Sequence, residues 1–309
     1  MNPEIIKQIE SSGTIPSPPQ IVARLLQVTR DPDYKQSDVV RLLSSDAGVV
    51  SDILRLANSV LLGGGRKLAS IDDALVRLGI RRVRTMVIGR SMIDQVNTGR
   101  HCEIDTSYYW RRSLATGVLA ARFAEQITGV QRDAAFMAGL LCDVGVVILA
   151  RAMPPAYHPA AECYAPRRAE DLVNTELDSV GLAHPEVSAW ALEKWGLPPE
   201  IVTAVRYHHS EALPETPAPV TRTAGILNGA SELARLLCES SNKPAVRGVC
   251  TWAAGKAGLP LSALSSVLRH IEADVTELAG HLRVDVIPSR VYALIAEGIA
   301  EELAMSAAM

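Results

Sequence analysis

The chain has 309 residues, 48% of them hydrophobic, with 31 basic against 34 acidic side chains and a formal net charge of −3. That length suits one large domain or two, and the charge balance excludes bulk coating of nucleic acid and a polybasic membrane-surface role. Only 4% of residues are aromatic, so the core must be built from Ala, Leu, Val and Ile, as packed helices are.

Taken in chain order, nearly every periodic segment predicts a helix. Val22, Leu25, Leu26 and Val28 recur at helical spacing until Asp31-Pro32 breaks the run. Ser37 is the expected N-cap of a helix to Ser44. A short break at Asp46-Ala47-Gly48 leads to a second helix, Val49 to Ala57, ending near Asn58, a residue that tolerates the left-handed cap conformation. Gly63-Gly64-Gly65 predicts a tight loop. Ser70 caps Asp72 to Leu78, which Gly79 stops. Helices follow at Arg81–Met92, Tyr108–Ile127, Arg132–Arg151, Asp171–Val180, Pro185–Trp195 and Pro199–His208. Gln95–Thr106 is polar and separates an N-terminal lobe from a central one. Ser210–Val220, with Pro214, Pro217 and Pro219, predicts a linker. Beyond it lie Thr221–Ser240, Ala245–Ala257, Ser262–Leu282 and Ser289–Met305. No run alternates as a strand would, so the expected class is all-α.

The five cysteines are widely spaced, and none forms a CxxC pair. A disulfide framework or zinc ribbon is not expected, and a reducing cytoplasm is the expected compartment. The first 20 residues carry no apolar run of signal-peptide type. Ala134–Pro154 is interrupted by Asp143 and Arg151 and falls short of the ~20 clean residues of a membrane span. A buried helix is expected there, and no membrane partner.

Four features could carry chemistry. The pair Ser37–Ser44 and Val49–Ala57 has the outline of a DNA-binding helix-turn-helix. Its second helix offers only Arg55 alongside Asp52, so two packed bundle helices are the expected reading, and DNA is not an expected partner. Arg81, Arg82 and Arg84 lie in a basic stretch from Arg77 to Arg90 that has no acidic residue. It is either a solvated face or a site for a nucleotide or acidic partner. Asp143, inside an apolar segment with Cys142, needs a metal, a cation or hydrogen-bond donors if buried. Downstream stand His184 and the pair His208-His209. Adjacent residues on a helix point ~100° apart, so only one of that pair is expected to face a given site. His184 before Pro185 also reads as a helix cap, and His208-His209 as cations at a helix C-terminus.

The run Leu54-Arg55-Leu56-Ala57-Asn58-Ser59 resembles a hallmark of the HDOD domain, the HD-related output domain. So do Ile15-Pro16 to Pro19 and Ser70-Ile71-Asp72-Asp73-Ala74 with Leu78-Gly79. Trp110, Ala138-Gly139-Leu140-Leu141 with Asp143 and Gly145, His184 with Glu186, Trp195-Gly196-Leu197-Pro198 and His208-His209 continue the resemblance in order. It covers Thr14 to about Ser210. It implies a two-lobed helical fold related to HD phosphohydrolases and a role in bacterial signalling. The expected division is an N-terminal lobe (1–100), a degenerate HD-like lobe (101–212) and a C-terminal helical extension (213–309).

The resemblance also implies which groups are missing. Where active HD enzymes carry a first-helix His, Arg112 (less so Arg111) stands by position, and the His-Asp pair reads Cys142-Asp143. A vestigial pocket of Arg112, Cys142, Asp143, His184, His208 and His209 is expected. In it Arg112 replaces the metal cation through a bidentate bridge to Asp143. No metal, no cofactor and no catalysis are expected. Partners of response-regulator or cyclic-dinucleotide-enzyme type are implied, with a nucleotide ligand and a divergent metal phosphohydrolase as alternatives.

Overall fold

A computed structural model of the chain describes residues 3–14, 18–31, 33–62, 66–98, 102–165, 171–210, 217–238, 243–282 and 297. Among the described residues there are helices and no strands. Helix α1 (Pro3–Ser11) precedes an N-terminal lobe of α2 (Gln20–Val28), α3 (Gln36–Ser44), α4 (Ala47–Asn58), α5 (Ile71–Leu78) and α6 (Ile80–Thr98). The central lobe comprises α7 (Thr106–Glu125), α8 (Arg132–Leu141), α9 (Val144–Ala152), α10 (Pro154–Cys163), α11 (Leu172–Val180), α12 (His184–Lys194) and α13 (Pro199–Arg206). The C-terminal helices are α14 (Ala218–Cys238), α15 (Lys243–Ala257) and α16 (Leu261–Leu282). The predicted Gly63–Gly65 loop, the Ser289–Met305 helix, Ile15-Pro16 and most of the Ser210–Val220 linker lie outside the described residues.

Local chemistry sets the helix ends. Asp46 caps α4 by accepting from the backbone N–H of Gly48 and Val49 at 3.0 and 3.1 Å. Ser70 caps α5 through Asp73 N–H, as expected. Gly79, at φ +78°, turns the chain straight into α6, a backbone conformation that costs glycine little. Two expected ends differ, and α4 ends at Asn58 as expected but without a left-handed cap. Lys35, not Ser37, precedes α3, and no side chain caps it. Asn58 stays helical, and its amide instead brackets the backbone of Leu68, donating to its carbonyl and accepting from its N–H. Helix α6 runs on to Thr98, so the connector between lobes is shorter than the polar stretch predicted. Sequence reading also missed α1 and α10, the latter opening on Pro154 and Pro155. Pro at the first turn is compatible with a helix.

The single helix expected over Arg132–Arg151 is two. The chain breaks at Cys142-Asp143, where Asp143 takes φ −95° and ψ 10°, outside the helical region. The stretch Arg132–Ala152 is long and apolar enough to cross a membrane by composition, yet 89% of its most apolar window is buried in the fold. Two glycines explain how the halves pack. A Cβ on Gly139 would lie 2.9 Å from Gly117 Cα and the Thr116 carbonyl oxygen, so α8 rests directly on α7. A Cβ on Gly145 would overlap the His184 carbonyl oxygen and come 2.8 Å from Ser188 N and Oγ, so α9 rests on the start of α12. Gly145 N–H also donates to Ser188 Oγ at 2.8 Å.

One apolar cluster runs from Ile9 in α1 to Ala279 in α16. The C-terminal helices therefore share the core of the central lobe: α14 packs along α7, and α16 meets both α7 and α4. Arg122 on α7 donates through Nε and NH2 to the Asp274 carboxylate on α16 at 2.6 and 2.7 Å. Glu277, one turn further on α16, accepts from Val60 N–H just beyond α4. With the α9–α12 contact this tight, Gly145→Ala must force the helices apart. We expect it to lower the unfolding free energy by about 2–3 kcal/mol in urea titrations, the cost of overpacking a dense core.

Candidate functional site

The break in α8–α9 is what creates the site. It leaves the Asp143 side chain inside the central lobe at 1% exposure, where an ionised carboxylate is costly without compensation. Five residues from four segments surround it. Arg112 comes from the middle of α7 and Tyr164 from the residue after α10. His184 opens α12, and His208 and His209 follow α13. All but His209 are buried.

The two carboxylate oxygens of Asp143 serve different partners. Tyr164 O–H donates to Oδ2 at 3.0 Å, and Arg112 Nε lies 3.5 Å from the same oxygen. The guanidinium also sits 4.8 Å from the centre of the Tyr164 ring, in cation–π contact. Its NH2 donates to Ser231 Oγ on α14 at 3.4 Å. Arg112 is thus the residue that faces Asp143, as expected, but the bidentate bridge is not formed. One nitrogen faces Asp143, and another is drawn off by the C-terminal helices. Arg111 faces elsewhere and donates to the Ser107 carbonyl.

Oδ1 faces the imidazoles. His184 Nε2 lies 3.6 Å away and His208 Nε2 3.4 Å away. Neither nitrogen has a hydrogen-bond partner among the described residues. Each ring is fixed from its other side. His208 Nδ1 bonds the Val205 carbonyl at 2.6 Å. His184 Nδ1 meets Glu176 at 2.7 Å, and the same Glu176 oxygen accepts from His184 backbone N–H at 2.7 Å. Tyr157 O–H donates to the other Glu176 oxygen. His184 is therefore no cap, since α12 begins with it and Ala183 stands at the N-cap position. Nor does only one of His208 and His209 face inward. Helix α13 ends at Arg206, so the 100° rule does not apply, and the two rings lie 4.1 Å apart. His209 also lies 5.1 Å from the His184 ring.

The electrostatics are those of a closed circuit. Burial raises the Asp143 carboxyl, but Arg112 and the two imidazoles outweigh it and hold it well below the usual carboxylate range. Burial lowers His184, but Glu176 and then Asp143 outweigh it and raise it. His209 is pushed well down by burial and by its imidazole neighbours, so it stays neutral. Cys142 is pushed up by burial and by Asp143, to which its thiol is hydrogen-bonded at 3.4 Å, so it is no thiolate ligand. The formal charges of Arg112, Asp143 and Glu176 leave the cluster one negative charge, which a proton on His184 cancels.

The same atoms fit one metal ion by spacing. Ligand atoms, one each from Asp143, His184, His208 and His209, lie within 4.8 Å of one another. Tetrahedral coordination at bonds of ~2.0–2.1 Å sets ligands ~3.3 Å apart, close to the 3.4 and 3.6 Å found for Oδ1. Glu176 behind His184 is the carboxylate that commonly orients a ligating imidazole. His184 Nε2 cannot hold both a proton and a metal, so the two compete for it.

Arg81, Arg82 and Arg84 do not converge on a ligand site. Arg81 pairs with Glu200 on α13, and Arg82 Nε with Asp133 on α8 at 3.2 Å. Arg84 NH1 reaches Thr29 Oγ1 at 3.5 Å, and its Nε is buried. Arg81 and Arg82 thus pair with acids of the central lobe, whereas Arg90 pairs within its own lobe with Asp52 on α4 and with Asp94. Sequence reading missed Glu176, Tyr157, Tyr164 and Ser231 altogether. A sequence signal existed for Glu176 alone, an acid eight residues before His184.

The sign of the His184 shift sets a pH dependence. A raised folded-state pKa contributes stability below its unfolded value of ~6.5, and that stability is lost as pH rises through the folded value. Denaturant titrations from pH 6 to 9 should show the wild type losing stability with rising pH. Glu176→Gln should flatten that slope and cost about 2–3 kcal/mol at pH 6, as for a lost charged hydrogen bond.

The sequence model of the HDOD domain matches residues 15–211. Among curated proteins, an uncharacterized protein of Treponema pallidum (strain Nichols) is 29% identical over 219 residues, 68% of this chain. The chain spans 41% of that relative's length. Among solved structures, a proposed phosphohydrolase from Shewanella amazonensis SB2B has a TM-score of 0.66 at 22% identity, covering 89% of this chain and 97% of its own. An HDOD domain protein of unknown function from Geobacter sulfurreducens has a TM-score of 0.64 at 22% identity, covering 86% and 93%. A proposed signal transduction protein from Marinobacter aquaeolei VT8 has a TM-score of 0.58 at 21% identity, covering 87% and 60%. At these identities the structures establish a shared fold, and their coverage cannot be reached without the C-terminal helices. With the family match spanning most of the chain and the fold in agreement, the protein belongs to the HDOD domain family.

Proposed function

We propose that this protein is a cytoplasmic signalling component that works by binding other proteins and catalyses no phosphohydrolysis. The observation that carries this reading is the state of Asp143. One of its oxygens is already engaged by Arg112 and Tyr164, and the group is 1% exposed. A hydrolytic metal centre needs an open coordination position and room for substrate beside it. Here a guanidinium on the same carboxylate opposes a dication, and Cys142 is a neutral thiol where the resemblance implies a ligand. Partners of response-regulator or cyclic-dinucleotide-enzyme class follow from the family. A nucleotide-sensing role through Arg81, Arg82 and Arg84 has less support, because Arg81 and Arg82 are engaged between lobes.

The two unpartnered Nε2 atoms favour a second reading, in which the cluster holds a single buried ion. Its ligands would be Asp143, His184, His208 and His209, and the ion would act as a Lewis acid only if substrate reached it. Elemental analysis of protein purified without chelator, together with hydrolysis assays on nucleotides and cyclic dinucleotides, separates the readings. We expect clearly substoichiometric metal and no turnover. We also expect Arg112→Ala to raise metal uptake, because it removes the competing cation. Stoichiometric metal with chelator-sensitive hydrolysis that Asp143→Ala abolishes would establish the enzyme instead.

A further inference from the structure

Helix α7 carries two buried arginines in opposite states. Arg122 sets Nε and NH2, the two nitrogens of one guanidinium edge, on the Asp274 carboxylate at 2.6 and 2.7 Å. That is the closed side-on bridge, with charge-assisted bonds of normal length. Arg112 presents the same edge to two different residues. Its Nε stands 3.5 Å from Asp143 Oδ2 and makes no hydrogen bond, while NH2 goes to Ser231 Oγ at 3.4 Å. Both distances exceed the ~2.7–2.9 Å of a charge-assisted bond. The Tyr164 ring, 4.8 Å from the guanidinium carbon, attracts it without a directed bond. Arg112 is therefore suspended between two partners and fully seated on neither.

Ser231 has no other evident task. It is 1% exposed on α14, where Ala230, Leu233 and Ala234 are buried beside it. Its hydroxyl has no hydrogen bond except to Arg112 among the described residues. A buried hydroxyl is costly unless it is bonded, and alanine would suit the helix better. Helix α14 is in turn seated on α15 backbone to backbone. A Cβ on Gly225 or Gly229 would lie 2.5 Å from the carbonyl oxygen of Lys256 or Ala253. The position of the Ser231 hydroxyl is thus set by that pair of helices.

The open bridge matters because a side-on bridge takes both oxygens of a carboxylate. With NH2 drawn to Ser231, Oδ1 of Asp143 is left facing the Nε2 atoms of His184 and His208. We infer that Ser231 is a positioning residue that holds this gate open, so that the seating of α14 sets the affinity of the cluster for a divalent cation. Released from Ser231, Arg112 closes on Asp143 as Arg122 does on Asp274, and Oδ1 is lost to the cation. Linkage makes the effect reciprocal: conditions that favour the bound cation also favour the seated α14. The inference rests on the reading in which the cluster holds an ion, and it makes that ion a regulated ligand of a binding protein.

The test titrates the full-length protein with zinc against a chromophoric chelator. Ser231→Ala should bind zinc about tenfold or more weakly than wild type, the usual size of an outer-shell loss. Ser231→Thr, which keeps the hydroxyl, should bind as wild type does. In an Arg112→Met background Ser231→Ala should have no effect, because no guanidinium remains to be released. Equal affinity of Ser231→Ala and wild type overturns the inference, and so does a loss that persists without Arg112. Should Arg112→Met not fold, NMR of the Arg112 Nε–H decides. Ser231→Ala should shift that resonance and slow its exchange with water, and an unmoved resonance overturns the gate. Saturable zinc binding that ignores Ser231 removes this inference alone. No saturable binding by wild type or any variant removes the ion reading and the inference with it.

Discussion

A carboxylate removed from water organises the central lobe. Asp143 has 1% of its surface exposed, and everything within reach of it is arranged to keep it charged. Arg112 and Tyr164 take one oxygen, and two imidazoles face the other. These groups come from α7, the α8–α9 break, the end of α10, the start of α12 and the end of α13. Breaking one contact would leave a buried charge uncompensated, which costs far more than an intact pair contributes. The polar cluster is thus less a stabiliser than a constraint: the helices must meet in one arrangement for the charge to be tolerated.

That constraint explains how a metal-type geometry persists beside a guanidinium. Two imidazoles aimed at one oxygen and oriented by Glu176 and the Val205 carbonyl form a precise frame. The orienting bonds lie on the far sides of the rings from Asp143. What Arg112 changes is the charge balance. It sets a fixed positive charge beside the Asp143 carboxylate.

Much of this was legible in the sequence, and the limits have physical causes. Helical periodicity located most elements, and the ordered motifs placed Arg112, Asp143, His184 and the histidine pair in one site. The break at Asp143 was invisible because Leu141 and Val144 continue the apolar pattern across it. The kink accompanies the tertiary approach of Gly145 to Ser188, which no local pattern announces. The orientation of His208 and His209 was misjudged because α13 ends before them. The basic stretch around Arg82 looked unpaired because its acids, Glu200 and Asp133, lie far off in sequence. Tyr164, Tyr157 and Ser231 had no local signal, since a lone hydroxyl declares its role only through its neighbours.

Ser231 carries a consequence of its own. It receives Arg112 from α14, a helix beyond the last residue of the family match, and α14 packs along the length of α7. The boundary at residue 211 is therefore a boundary of sequence likeness and not of folding. A fragment cut there would bare one flank of α7 and release one of the anchors on the guanidinium. The buried core of this protein reaches further along the chain than the motif by which it is recognised.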